Sequence, residues 1–187
     1  MPDVHRRLVP ALAVVVLTLV ACDGGRPDDA SVSSSASPDA SSVDLAPGIA
    51  ALYAGNAPSP EEADESDCFG DALLDRLGGT DLEAAGIVVD GAVVTALPVL
   101  DADTATQWVQ AQHECIDFVE VSTRALGAQS KGRVAAGAYA DCLRAALTGA
   151  EVDAALVDTL TGAFDTEAVA ALGRAQADCA RSASPPD

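Results

Sequence analysis

Basic residues, aromatic residues and histidines are scarce in this chain of 187 residues. Ten Lys and Arg stand against 29 Asp and Glu, which gives a formal net charge of −19. Nucleic-acid binding needs clustered cationic side chains that neutralise phosphates, so this class of function is excluded. Electrostatic attraction to anionic lipid headgroups is excluded for the same reason. We interpret the acidic surface as a source of self-repulsion, with attraction of cations or basic partners as the alternative.

Motifs of catalytic chemistry are also missing. The sequence contains no glycine-rich phosphate loop, no G-x-S-x-G and no H-E-x-x-H. His113 has no nucleophile or carboxylate constellation around it, so we interpret it as a surface residue. Asp101 and Asp103 are a candidate site for a hard cation, but acids at a helix start are expected as caps. The sequence therefore predicts a protein that is not an enzyme and has no cofactor and no metal site.

The N-terminus has the parts of an export signal. Two basic residues, Arg6 and Arg7, precede an apolar stretch from Leu8 to Leu19. A helix of that length would extend about 18 Å, which is too short for a hydrocarbon layer of about 30 Å. Residues 1–21 are therefore predicted to be a removable signal peptide rather than a transmembrane helix.

The end of this signal resembles the lipobox of bacterial lipoproteins. Leu19-Val20-Ala21-Cys22 has an aliphatic residue, a permissive position, a small residue and the lipid-accepting cysteine. The resemblance covers the leader alone, and it implies that Cys22 receives diacylglycerol and becomes the mature N-terminus, carrying acyl chains such as palmitate. Two acyl chains are enough for stable anchoring, at about 0.8 kcal/mol per buried CH₂. We therefore expect a lipid anchor on the extracytoplasmic face of the cell membrane, with a secretory signal and an incidental cysteine as the alternative.

A predicted tether separates the anchor from the folded domain. Residues 23–58 are rich in Ser, Ala, Pro, Asp and Gly, which bury too little apolar surface to offset their ordering entropy. With the lipidated cysteine they form a segment, 22–58, that we predict to be disordered. Within it, residues 48–54 are an apolar island that is a candidate for a short docked helix. Residues 59–187 carry periodic apolar faces and are expected to form one acidic helical domain.

This domain is predicted to be all-α. Capping-box patterns at 59–62, 80–83 and 148–151 mark three helix starts. Helices are expected over about 59–77, 103–127, 133–147 and 165–182, with short ones after the second and third capping boxes. Between them, β-branched residues on both sides of Asp90-Gly91 predict a small hairpin at 87–95, with a loop before Pro98 as the alternative.

The order of helices and cysteines repeats along the domain. An ungapped alignment places Cys115 on Cys179, and another places Cys68 on Cys142, each with an acidic residue before the cysteine. Each half, 59–130 and 131–187, thus has a cysteine helix, a shorter helix and a second cysteine helix. We interpret this as a tandem duplication of a three-helix unit, although alanine-rich helices also align by composition.

The four cysteines of the domain predict disulfides. An even number in an exported protein indicates a disulfide framework, and four cysteines allow three pairings. The repeat favours Cys68 with Cys115 and Cys142 with Cys179, so that each bond joins the first and third helix of its half. Cys68 is predicted to face the core. A zinc site is the disfavoured alternative, because its cysteines usually lie two to four residues apart and these are far more widely spaced.

Together these features predict a membrane-anchored lipoprotein with a non-catalytic binding or structural role at the cell envelope. Its partner would be another envelope protein or a ligand. The alternative is a carrier whose helices enclose a lipid or a small hydrophobic ligand, and an enzyme is the least favoured class. The main concavity of the domain discriminates among these classes, according to whether it is apolar, acidic or absent.

Overall fold

A computed structural model describes residues 45–55 and 57–184. Within these residues it has seven helices and one two-stranded hairpin, so the predicted all-α, disulfide-stapled class is confirmed. The predicted signal peptide, Cys22 and the tether as far as residue 44 lie outside the described residues. The elements are α1 (Ala46–Ala54), α2 (Pro60–Ala84), β1 (Val88–Val89), β2 (Ala92–Val93), α3 (Ala102–Cys115), α4 (Phe118–Ser130), α5 (Ala136–Ala146), α6 (Gly149–Leu160) and α7 (Glu167–Ser182).

Helix α2 begins where the sequence predicts, and it is kinked where the sequence predicts a helix end. The Glu62 carboxylate accepts a hydrogen bond from the Ser59 backbone N–H at 2.8 Å, and the Ser59 hydroxyl accepts one from the Glu62 N–H at 3.3 Å. This reciprocal pair is a capping box. Gly78 has a φ of 69°, which glycine adopts without Cβ strain, and it separates the main helix from its last turns. The two predicted helices are thus one kinked element.

The predicted hairpin is confirmed. Val88 lies opposite Val93 in an antiparallel pair, and Val89 lies opposite Ala92. Both turn residues have positive φ, 52° at Asp90 and 77° at the glycine that follows, as a type I′ turn requires. Because Val88 is buried in the main core, this short hairpin is stabilised by packing rather than by its few hydrogen bonds alone.

Helix α1 places the start of the folded domain earlier than the predicted boundary after residue 58. It packs along α2, with Ile49 fully buried. The two helices approach so closely that a Cβ at Gly70 would lie 2.5 Å from the Ala46 carbonyl oxygen. The candidate docked segment, 48–54, is therefore the folded end of the predicted tether. Residues 23–58 are polar on average, so their composition predicted disorder although these few apolar residues form a helix.

The long helix predicted over about 103–127 is in fact two helices. Ile116 has an extended backbone, with φ −136° and ψ 122°, and ends α3. The Asp117 carboxylate then accepts hydrogen bonds from the N–H groups of Val119 at 2.7 Å and Glu120 at 3.0 Å, which caps α4. The apolar periodicity continues through this break, so the sequence pattern did not reveal where one helix ends and the next begins. The break lets Ile116 turn into the core.

Two hydrophobic cores hold the helices together. The first is built around Phe69, whose ring centroid lies 4.8 Å from those of both Tyr53 and Trp108. The second is smaller, and its buried members are Tyr139, Leu143, Cys179 and Ala183. Helix α6 belongs to the second half in sequence, but its residues Val157 and Leu160 pack against the first core. The two halves are therefore joined by shared apolar packing.

Both predicted disulfides are present. The first disulfide joins Cys68 to Cys115 with their Cα atoms 5.7 Å apart, and the second disulfide joins Cys142 to Cys179 at 5.5 Å. The second disulfide links the first and last helix of its half, as the repeat predicts. The first disulfide links α2 to α3 instead, because the helix predicted to end the first half is divided and α4 follows Cys115. The predicted core-facing orientation of Cys68 is wrong, because this residue is exposed. The core-facing side of α2 is taken instead by Ser66, Phe69, Gly70 and Leu73.

Candidate binding groove

A groove of about 590 Å³ lies where the two halves of the domain meet. Four helix ends form it: the end of α3, the start of α4, the end of α5 and the start of α6. The break at Ile116 and Asp117 creates one wall, because it separates α3 from α4 at this point. We call this concavity, together with the depression that continues it, the inter-half groove.

The floor of the groove is apolar. Ile116, Leu143 and Val152 are buried beneath it, whereas neighbouring side chains remain partly exposed to it. These partly exposed residues are Phe118, Val119 and Leu147. Val119 and Leu147 also pack against the second core, so the floor is a continuation of that core toward the surface.

Carboxylates form the rim, and several of them already have partners. Glu65, only 15% exposed in its side chain, accepts hydrogen bonds from both terminal nitrogens of Arg124. Arg124 also donates to Glu61 at 2.9 Å, and its hydrogen bonds with Glu65 raise its pKa above the ordinary value. Glu114 forms an ion pair with Arg76. These pairs fix the position of the rim and reduce its local negative charge.

Glu120 differs from the other rim carboxylates. Its side chain is exposed, and within the described part of the chain its carboxylate has no hydrogen-bond or ion-pair partner. Asp117, three residues earlier, is occupied as the cap of α4. Glu120 is therefore the rim group that is available to a positively charged ligand.

A second depression of about 380 Å³ continues the groove along α4 and α5. The two concavities share Glu120 and Arg144, so Glu120 stands at their junction. On the α5 side, Arg144 stands at the junction with the first concavity, and the rest of the lining is small: Ala136, Gly137 and Ala140. A Cβ added at Gly137 would meet no atom within 4 Å. The surface here is low enough for another backbone to approach closely.

His113 links the two halves beside the groove. Its Nε2 atom contacts a carboxylate oxygen of Asp153, and both side chains are about half exposed. His113 comes from α3 and Asp153 from α6, so the pair adds a polar contact to the apolar packing between these helices. The predicted surface position is found, but the pairing with α6 was not foreseen.

The remaining predicted site residues fall into two groups. Cys115 lies in the groove wall, whereas its partner Cys68 is not among the lining residues. Asp101 is an N-cap, as interpreted from the sequence: its carboxylate accepts backbone hydrogen bonds from Asp103 and Thr104 at 3.0 Å each. A hydrogen bond from the Thr104 hydroxyl, together with these backbone bonds, lowers the pKa of Asp101. Over residues 45–55 and 57–184, no group of three His, Cys, Asp or Glu side chains is placed to hold a metal ion.

Comparisons with known proteins give no independent indication of function. No family model matches the chain, and neither the curated proteins nor the solved structures contain a significant match to it. None of the helices in the described part of the chain is both long and apolar enough to cross a membrane. The functional argument therefore depends on the groove itself. Sequence reasoning missed the groove, and the signal that was present is the D-x-x-E capping pattern from Asp117 to Glu120.

Proposed function

We propose that this protein is a membrane-anchored extracytoplasmic lipoprotein that binds a partner, without catalysis, through the inter-half groove. The observation that carries the binding role is a groove with an apolar floor and a rim of carboxylates, at the point where the halves meet. The anchor is supported by the lipobox resemblance at Cys22. The two disulfides support the extracytoplasmic location, because disulfides persist in oxidising compartments.

The state of the polar groups in the groove favours binding over catalysis. A general acid or base, or a nucleophile, must be available to a substrate. Glu65 and Glu114 pair with arginines, Asp117 caps a helix, and the sulfur of Cys115 is in a disulfide. His113 contacts Asp153. Most of the groove groups that could act as an acid, a base or a nucleophile thus have structural partners.

The carrier alternative is supported by the apolar floor but opposed by the rim. A pocket for an acyl chain is expected to enclose most of its ligand in apolar surface. The inter-half groove is open, and carboxylates line its edge. Lipid that co-purifies with the protein and is released only on unfolding, observed by native mass spectrometry, would favour the carrier.

The binding role is tested by photo-crosslinking in intact cells. A photo-reactive amino acid is placed at Glu120, at the junction of the two concavities. The matched control carries it at Asp71, an exposed acid on α2 that is not a lining residue. We expect a discrete crosslinked species from position 120 alone. Identical patterns from both positions, or none from either, would contradict the proposed groove function.

The anchor is tested separately by metabolic labelling with a fatty acid. The wild-type protein should incorporate the label at Cys22 and remain in the membrane fraction. An unlabelled protein would refute the anchor and leave the groove proposal to be judged by crosslinking alone.

A further inference from the structure

The charges of the groove are unequal. Its lining includes five carboxylates, Glu61, Glu65, Glu114, Asp117 and Glu120, and two guanidinium groups, Arg124 and Arg144. Arg76 lies outside the lining and neutralises Glu114, so an excess of two negative charges remains around the two concavities, in a chain of net charge −19. Concave surfaces lined by one sign of charge focus the field and raise the local concentration of opposite charge. The groove is therefore complementary to a ligand that carries positive charge.

Charge alone does not describe this surface, because its floor is apolar. Phe118, Val119 and Leu147 are partly exposed to the groove. A small polyvalent cation would leave these side chains uncovered. A ligand that also carries apolar side chains would remove their surface from water, at about 25 cal/mol per Å² of apolar area. The floor and the rim together favour an amphipathic cation.

The shape of the groove favours a peptide segment. Six of the eight residues from 117 to 124, at the start of α4, line it over roughly 10 Å at 1.5 Å per residue, and the end of α3 and the start of α6 extend it. Along α5 the surface is lowered by Ala136, Gly137 and Ala140. This is the geometry of a helix-in-groove contact, in which apolar anchors of a short segment enter the floor.

We infer that the inter-half groove binds a cationic amphipathic peptide segment, in which two or three Lys or Arg residues flank one or two apolar anchors. This inference rests on the proposed binding function and names the chemistry of the partner. A positive charge of the segment meets Glu120 at the junction of the two concavities. Its apolar side chains lie on Val119 and Leu147.

The inference is tested with designed peptides and the purified, disulfide-bonded protein. The binding peptide has about 14 residues, with Leu at two positions four residues apart, Lys at three flanking positions and Ala elsewhere, so that it can form an amphipathic helix. Three comparison ligands are a scrambled peptide of the same composition, the same pattern with Glu for Lys, and spermidine. Fluorescence anisotropy or calorimetry should show saturable binding of the patterned Lys peptide only. Its affinity should fall as salt is raised from about 0.05 M to about 0.3 M, because the rim charges are exposed and screened.

Two pairs of variants locate the site. Glu120→Lys should weaken the affinity by about tenfold or more, whereas Asp71→Lys makes the same charge change away from the groove and should have less than about a twofold effect. Gly137→Leu should block the second depression, because a side chain there projects into open space and does not clash. Gly173→Leu is the matched control, since this exposed glycine of α7 is equally unobstructed. Leucine has a higher helix propensity than glycine, so neither substitution should destabilise its helix. Misfolding therefore does not account for a loss of binding.

The results separate this inference from the proposed function. The inference is overturned if the scrambled peptide or spermidine binds as well as the patterned peptide, because this would show a non-specific acidic surface. It is also overturned if the variants and their controls have equal effects. If the patterned peptide fails to bind while position 120 still crosslinks to a partner in cells, the inference is wrong and the groove function stands. If both experiments fail, both proposals fall.

Discussion

Replacing both cysteines of the second disulfide by alanine should destabilise the protein more than the same change at the first disulfide. Loop length alone predicts the opposite order, because the first disulfide closes a separation of 47 residues and the second one of 37. In the chain-entropy model each contributes about 4 kcal/mol, with a slight advantage for the longer loop. Burial reverses the order. Cys179 is 1% exposed and is one of the four buried residues of the second core, whereas Cys68 is exposed.

The size of the difference follows from this burial. Truncating a buried cysteine in so small a core adds a cavity cost of about 1 kcal/mol, so the expected losses are about 5 kcal/mol for the second disulfide and about 4 for the first. Urea unfolding followed by circular dichroism measures both, and each kcal/mol should shift the Tm by roughly 3 °C in a domain of this size. Hydrogen exchange should show α5 and α7 opening first in the second variant. A larger loss from the first pair would show that loop length, not burial, determines the order.

Further predictions concern the anchor, the domain boundary, the exposed bond and acid stability. Cys22→Ser should release the protein from the membrane fraction, and retention of this variant would refute the anchor. Limited proteolysis should cut before Leu45 and leave α1 attached, because α1 is packed in the core; a stable fragment beginning near Ser59 would contradict this packing. Mild reduction followed by alkylation should label the first disulfide before the second, since Cys68 is exposed, and the reverse order would refute the described burial. The hydrogen bonds to Asp101 lower its pKa from the ordinary 3.8, so the stability it contributes is present above that value and is lost as pH falls through the lower folded pKa. Asp101→Asn should therefore show a shallower acid-induced fall in the urea midpoint, and an unchanged slope would count against the cap.

The elements that were predicted correctly depend on hydrogen bonds between residues close in sequence. The capping boxes that begin at Ser59 and Thr148 are present in the structure with both of their hydrogen bonds. The hairpin turn at Asp90 follows from the positive φ that its glycine neighbour permits. The break at Asp117 was missed although its capping pattern is equally local, because a continuous apolar periodicity on both sides favoured a single helix.

The sequence by itself determined the helical class and the hairpin, because caps and turns are properties of neighbouring residues. It also favoured the observed pairing of the cysteines through their order along the chain. Only the tertiary structure decided which surfaces these helices share. Ile49 belongs to the core rather than to the tether because another helix covers it. Cys68 faces outward because none of the described helices covers that side of α2. The inter-half groove is decided in the same way, since its lining comes from the ends of several helices that are distant in sequence and meet only when the two halves pack together.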